Sequence, residues 1–68
     1  MTTGEKLRAV RKAKGISQRC LAMRCGIIDQ GHISKIEVGY IRKPRGATLN
    51  KLAKALGVSV DEIRGDAE

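Results

Sequence analysis

The chain has 68 residues, a net charge of +7 from 14 basic and 7 acidic side chains, and a single aromatic residue, Tyr40. This length allows one small domain and excludes a large enclosed active site, because a chain of this size buries only about 60% of its unfolded surface. The near absence of aromatic side chains argues against stacking on unpaired bases, the usual mode of single-strand and RNA binders.

The positive charge is concentrated in residues 1–60, which hold 13 basic and three acidic side chains. The last eight residues form a short acidic tail with four carboxylates and one arginine. A compact basic body attracts polyanions, so this distribution favours a nucleic-acid partner. Surface charge also keeps proteins in solution, and composition alone leaves that second interpretation open.

Few residues suit a metal, a disulfide or a membrane segment. Cys20 and Cys25 lie five residues apart on one predicted helix and point about 140° apart, so we do not expect them to bridge each other. A zinc site takes about four ligands, and His32 is the only histidine. No signal peptide is recognisable and no apolar run approaches about 18 residues. We expect a cytoplasmic protein with no cofactor, metal, membrane segment or small-molecule ligand.

The first predicted helix spans residues 3–14, with Thr3 as its N-cap and Gly15 as its stop. Lys6 stands at the third helical position, so the capping box is incomplete. Apolar residues recur at every third position and predict the inner stripe, formed by Leu7, Val10 and Ala13.

Ser17 is the predicted N-cap of the second helix, Gln18–Cys25, which Gly26 ends. After a short turn, Asp29 is the predicted N-cap of the third helix, Gln30–Glu37. The side chains expected to face inward from these two helices are Leu21, Ala22, Cys25, Ile33 and Ile36.

A basic loop over residues 40–47 follows, and Pro44 prevents a helix from running through it. Thr48 is the predicted N-cap of a fourth helix over residues 49–56. Its expected inner residues are Leu49, Leu52, Ala53 and Leu56.

Ser59 is the predicted N-cap of a last short helix over residues 60–64, with Ile63 inward. The whole pattern predicts an all-α fold, a compact bundle of five short helices. Residues 1–68 would form a single domain with its core at about 3–64.

Three separated blocks carry a family resemblance: RKAKGISQ at 11–18, ISKIEVG at 33–39 and LAKALGVSVD at 52–61, with Leu21-Ala22 and Gly26 between the first two. In their order and spacing they resemble the Cro/XRE family of phage-repressor-like regulators over about residues 3–64. The resemblance implies a lambda-repressor-like bundle in which the second and third helices form a helix-turn-helix. In that arrangement the second helix of the pair enters the major groove of DNA.

The resemblance also implies which residues contact double-stranded DNA. The start of the second helix, with a positive helix dipole behind it, suits a phosphate. Gln and Lys on the third helix suit adenine and guanine edges, and the arginine after Pro44 suits a narrow minor groove. The candidate DNA-binding residues are Ser17, Gln18, Arg19, Gln30, Gly31, His32, Ser34, Lys35, Arg42, Lys43 and Arg45.

Two features depart from the family pattern. Gly31 offers no side chain to a base, so it either permits close backbone approach or leaves that base unread. The turn before Asp29 is one residue longer than usual in the family, which shifts the register of the third helix. Two interpretations of His32 stay open: it contacts DNA, or it is a solvated surface side chain.

By the same resemblance, Arg11 and Glu37 form a partly buried structural ion pair between the first and third helices. Cys25 takes a core position as a small hydrophobe. Cys20 is expected on the surface, and a redox role for either cysteine stays a minor alternative.

The chain is thus interpreted as a sequence-specific DNA-binding transcriptional regulator, a repressor that binds a palindromic operator as a homodimer. The dimer surface implied by the resemblance lies around residues 58–63. Two alternatives are an antitoxin-type interaction module that also binds DNA and the controller protein of a restriction-modification system. An enzyme is not expected, since the sequence shows neither a plausible carboxylate pair nor a nucleophile with its base.

Overall fold

The computed structural model describes residues 1–26 and 29–65. Its regular elements are all helical: α1 (Thr3–Ala13), α2 (Gln18–Cys25), α3 (Gln30–Glu37), α4 (Gly46–Leu56) and a single 3₁₀ turn at Val60–Glu62. The all-α prediction is confirmed, but the fifth predicted helix is this 3₁₀ turn. None of the described helices combines the length and apolar character that crossing a bilayer requires.

One apolar core joins all the elements, with α3 packed against both α1 and α2, and α4 packed against α2 and the 3₁₀ turn. The predicted inner positions of α3 and α4 are all buried. Of the predicted inner residues of α1 and α2, three are only half-buried at the edge of the core: Val10, Ala22 and Cys25. The side chains with no solvent exposure are Leu7, Leu21, Ile33, Ile36, Leu52 and Ile63.

The predicted inner stripe of α1 is wrong at Ala13, which is exposed. Three-residue steps rotate by about 300°, so each step drifts about 60° from the last and Ala13 leaves the inner face. The buried face of α1 instead follows steps of about four residues. Its members are Thr3, Gly4, Leu7 and Arg11.

The N-cap of α1 is Thr2 and not Thr3, a correction of one residue with a clear cause. The Thr2 hydroxyl accepts from the Glu5 amide at 3.2 Å, and the Glu5 carboxylate accepts from the Thr2 amide at 2.9 Å. This capping box is complete because an acid stands three residues after Thr2. The hydrogen bonds from Thr2 lower the pKa of Glu5.

Gly4 lies where α1 meets the last turn of α3. A Cβ atom at this position would lie 2.1 Å from the carbonyl oxygen of Ile36 and 2.9 Å from that of Glu37. Both of these atoms belong to the backbone of α3. The two helices therefore approach each other at a distance that only glycine permits at this position.

The fourth helix begins three residues earlier than predicted, at Gly46, with Arg45 and not Thr48 as its N-cap residue. The Leu49 amide donates to the Arg45 carbonyl at 2.9 Å, which closes the first turn. Apolar spacing locates the face of a helix but not its first turn, and Ala47 and Thr48 continue the helix once the chain has passed Pro44.

The C-terminal segment is attached to α1. The Lys6 ammonium donates to the carbonyls of Asp61 and Arg64, at 3.0 and 2.6 Å, and the Gly65 amide donates to the buried Thr3 hydroxyl at 2.8 Å. Ser59 is the N-cap of the 3₁₀ turn, as predicted, and its amide donates to Glu62. The last three residues of the acidic tail lie outside the described residues.

Candidate nucleic-acid interface

Helices α2 and α3 have the bounds that the sequence predicts, eight residues each. The Ser17 hydroxyl accepts from the Cys20 amide at 3.0 Å, and the Asp29 carboxylate accepts from the His32 amide at 2.7 Å. Both predicted N-caps are therefore confirmed. Ile27 and Ile28 lie outside the described residues, and the predicted extra residue of the turn falls on this segment.

Helix α3 presents its predicted recognition residues on the side away from the core, from the first residue, Gln30, to the last turn, which holds Lys35. Gln30, Gly31 and Lys35 are exposed, while His32 and Ser34 are half-buried. Ile33 and Ile36, on the opposite face, have no solvent exposure and fix the helix to the core. The outer face of α3 is therefore free to contact a ligand.

Gly31 is not required by the fold. A Cβ atom at this position would make an ordinary contact, 3.5 Å from the Asp29 carboxylate oxygen. The backbone φ angle of Gly31 is not positive, so it does not require glycine. A side chain would therefore fit here in the free protein, and the glycine leaves a gap in the outer face of α3.

A buried polar network connects α1, α2 and α3. The guanidinium of Arg11 donates to both carboxylate oxygens of Glu37, from Nε at 2.6 Å and from Nη2 at 3.0 Å. Its Nη1 donates to the Ile16 carbonyl at 2.8 Å, and the Gln18 amide donates to Glu37 at 3.1 Å. The ion pair that the resemblance implies is present, and Gln18 extends it.

The Arg11–Glu37 pair is buried, so its role is structural. The side chains of Arg11 and Glu37 are 9% and 3% exposed, and the hydrogen bond with Glu37 raises the pKa of Arg11 above its ordinary value. A bidentate arginine–carboxylate pair has a defined geometry. The network therefore fixes the start of α2 relative to the end of α3.

Arg8, which the sequence-based interpretation did not select, lies beside this network. With Arg11, Gln18, Glu37 and Val38 it lines an open cleft of about 240 Å³. Arg8 stands three residues before Arg11 on α1, so helical spacing makes the two side chains neighbours on the helix surface. That spacing is the signal from which Arg8 could have been selected.

The basic loop meets the N-terminus of α4. Arg42, Lys43 and Arg45 are exposed, and the Arg45 side chain makes no capping hydrogen bond to the described residues. The first amides of any helix lack intrahelical acceptors. The start of α4 therefore combines free N–H groups with basic side chains. The sequence-based prediction missed this combination, because it took Thr48 as the N-cap and left Arg45 in the loop.

The remaining candidates divide between the surface and the core edge. Ser17 and Arg19 are exposed at the start of α2. Cys20 is half-buried, so its expected surface position is wrong, and both cysteines are free. Cys25 is half-buried with its thiol 3.8 Å from the Lys51 carbonyl, and burial raises its pKa. A raised pKa keeps the thiol protonated and unreactive.

The chain is similar to proteins of known family. The model of the helix-turn-helix family HTH_3 matches residues 7–63. The SPbeta prophage-derived uncharacterized HTH-type transcriptional regulator YonR of Bacillus subtilis is 45% identical over 58 residues, 85% of this chain and 52% of the relative. The HTH-type transcriptional repressor RghR of the same species is 38% identical over 60 residues, 88% of this chain and 44% of the relative. The chain thus spans about half the length of these curated relatives.

The fold is similar to a solved structure, that of the restriction-modification controller protein C.AhdI from Aeromonas hydrophila. The TM-score is 0.83 at 36% identity, and the match covers 90% of this chain and 86% of the controller protein. Sequence and fold comparisons therefore agree on a helix-turn-helix arrangement built by α2 and α3.

Proposed function

Because the chain belongs to the helix-turn-helix family of Cro/XRE type, we propose that it is a sequence-specific DNA-binding domain of a transcriptional repressor. The observation that carries the proposal is the outer face of α3, which is polar, exposed and fixed in place by the buried Arg11–Glu37–Gln18 network. A helix held in this way can enter the major groove as a rigid unit.

The exposed polar residues of α3 recognise the bases. Gln30 suits the paired donor and acceptor of adenine, and Lys35 suits the O6 and N7 acceptors of guanine. Gly31 permits the backbone to approach the base edges, a role consistent with the absence of any steric need for glycine there. His32 and Ser34 are half-buried at the margin of this face and complete its contacts.

Phosphate contacts surround that face. The N-terminus of α2 contributes Ser17, Gln18 and Arg19, with Arg8 across the neighbouring cleft. The N-terminus of α4 contributes its free amides, and the loop before it adds Arg42, Lys43 and Arg45. Helix N-termini and basic side chains both favour phosphate oxygens, so these groups position α3 without reading sequence.

The domain acts in the cytoplasm as a homodimer on a palindromic operator, with half-sites about 34 Å apart, one turn of DNA. A single domain reads few base pairs, and two-fold pairing doubles the number that it reads. The family resemblance supports a pairing surface around residues 58–63, where Val58 and Val60 are half-buried.

A second candidate is favoured by the fold comparison. The similarity to the restriction-modification controller protein runs through most of both chains. In this function the domain would bind DNA and regulate genes of a restriction-modification system. Reporter assays of the promoters next to this chain's gene would separate this function from general repression.

A salt titration tests DNA binding directly. About six phosphate contacts predict a fall in affinity of about 10³ between 50 and 200 mM salt. We expect Arg42→Ala to weaken binding to all duplexes alike and to lower the salt slope by about one. The measurement is fluorescence anisotropy with a labelled duplex at several salt concentrations.

The matched control is Arg24→Ala, because Arg24 is exposed near the C-terminal end of α2, in a cleft lined with Lys51 and Lys54, and none of these three is a proposed DNA contact. This variant should keep the wild-type slope. A flat salt response of the wild type would contradict DNA binding, and equal losses in the two variants would contradict the proposed placement of the phosphate contacts.

A further inference from the structure

Tyr40, the single aromatic residue of the chain, is placed on the surface beside the proposed recognition helix. It is 77% exposed, so core packing does not account for it. Its ring centroid lies 5.8 Å from the ammonium nitrogen of Lys35, within the range of a cation–π contact. The ring thus contacts the side chain to which guanine recognition is assigned.

The backbone fixes this contact. After α3 the chain reverses at Gly39, whose φ is +91°, and the Ile41 amide donates to the Lys35 carbonyl at 3.0 Å. Ile41 is half-buried against the core and anchors the returning segment. Tyr40 stands just before this anchor, so the turn places its ring next to the Lys35 side chain.

We propose that Tyr40 is a positioning residue for base recognition, which holds the Lys35 ammonium at the edge of α3 before DNA arrives. This inference rests on the proposed DNA-binding function. A free lysine side chain loses rotamer freedom when it binds a base, and an ordered one loses less. Tyr40 therefore acts on specificity through Lys35 and not through a DNA contact of its own.

The test is a double-mutant cycle on the operator that the wild type selects. Tyr40→Ala should weaken binding about two- to fivefold and relax the base preference at the pair read by Lys35. In a Lys35→Ala background the same change should have no further effect. Tyr40→Phe keeps the ring and should restore wild-type binding. The control is Met23→Ala, which removes another exposed apolar side chain (74%) and should leave binding unchanged.

A measurement on the free protein tests the contact itself. The Lys35 ε-methylene proton resonances should be shifted upfield by the Tyr40 ring in NMR spectra, unshifted in Tyr40→Ala and shifted in Tyr40→Phe. Absence of this shift in the wild type would overturn the inference.

The binding measurements also test whether Tyr40 acts through Lys35. An undiminished effect of Tyr40→Ala in the Lys35→Ala background would mean that the ring contacts DNA directly, and a loss in Tyr40→Phe would assign that contact to the hydroxyl. Either result, or wild-type binding by Tyr40→Ala, overturns this inference alone. A wild-type chain that binds no duplex would instead overturn the proposed function, and the inference with it.

Discussion

Replacing Gly4 with alanine is expected to destabilise the domain by about 3 kcal/mol, the upper part of the usual range for overpacking. The added Cβ would lie 2.1 Å from the Ile36 carbonyl oxygen, and no side-chain rotation can relieve a contact between Cβ and backbone. Helix α1 would have to move away from α3. In a domain this small the melting temperature should fall by more than about 10 °C, measured by circular dichroism.

Gly46→Ala is the matched control, because Gly46 is also a helical glycine. A Cβ atom there meets no described atom within 4 Å outside its own helix and chain neighbours. This variant should be neutral or stabilised by up to about 1 kcal/mol, since alanine favours the helix. Similar melting temperatures for the two variants would contradict the close approach of α1 to α3.

Breaking the Arg11–Glu37 pair is expected to cost about 3–5 kcal/mol, because the remaining charge is left buried without its partner. Arg11→Met strands the carboxylate, and Glu37→Met strands the guanidinium and also removes the acceptor of Gln18. The double variant leaves no buried charge, so its cost should be well below the sum of the two single costs. Urea unfolding of the four proteins measures these free energies.

Glu62→Gln provides the control for loss of a carboxylate. Glu62 is exposed and accepts from the Ser59 amide at 2.8 Å, so its replacement should cost about 1 kcal/mol or less. If the double variant loses as much unfolding free energy as the two single variants together, Arg11 and Glu37 contribute independently. That result would contradict the paired network.

The local elements that the sequence predicted best are those with a polar N-cap and a glycine stop. Ser17 and Gly26 delimit α2, and Asp29 begins α3, because each satisfies backbone groups that a helix end leaves open. At α1 two adjacent threonines competed for the cap, and the acid at Glu5 selects Thr2. At α4 the first turn has no capping side chain among the described residues, so no residue type marked its start.

Tertiary features were predictable only where the family resemblance supplied them. The Arg11–Glu37 pair joins residues far apart in the chain, and neither helical spacing nor charge alone would have connected them. The role of Gly4 depends on how α1 crosses α3, which a pattern of apolar residues does not specify. The contact of Tyr40 with Lys35 depends in the same way on the turn at Gly39.

The most direct test of the central claim, that α3 reads duplex DNA in the major groove, is selection of bound sequences from a random duplex pool by the wild type and by Lys35→Ala. The wild type should select a palindromic consensus with half-sites about one turn apart. Lys35→Ala should select the same consensus with one base pair per half-site relaxed. Failure of the wild type to enrich any sequence, or an unchanged consensus with Lys35→Ala, would contradict the claim.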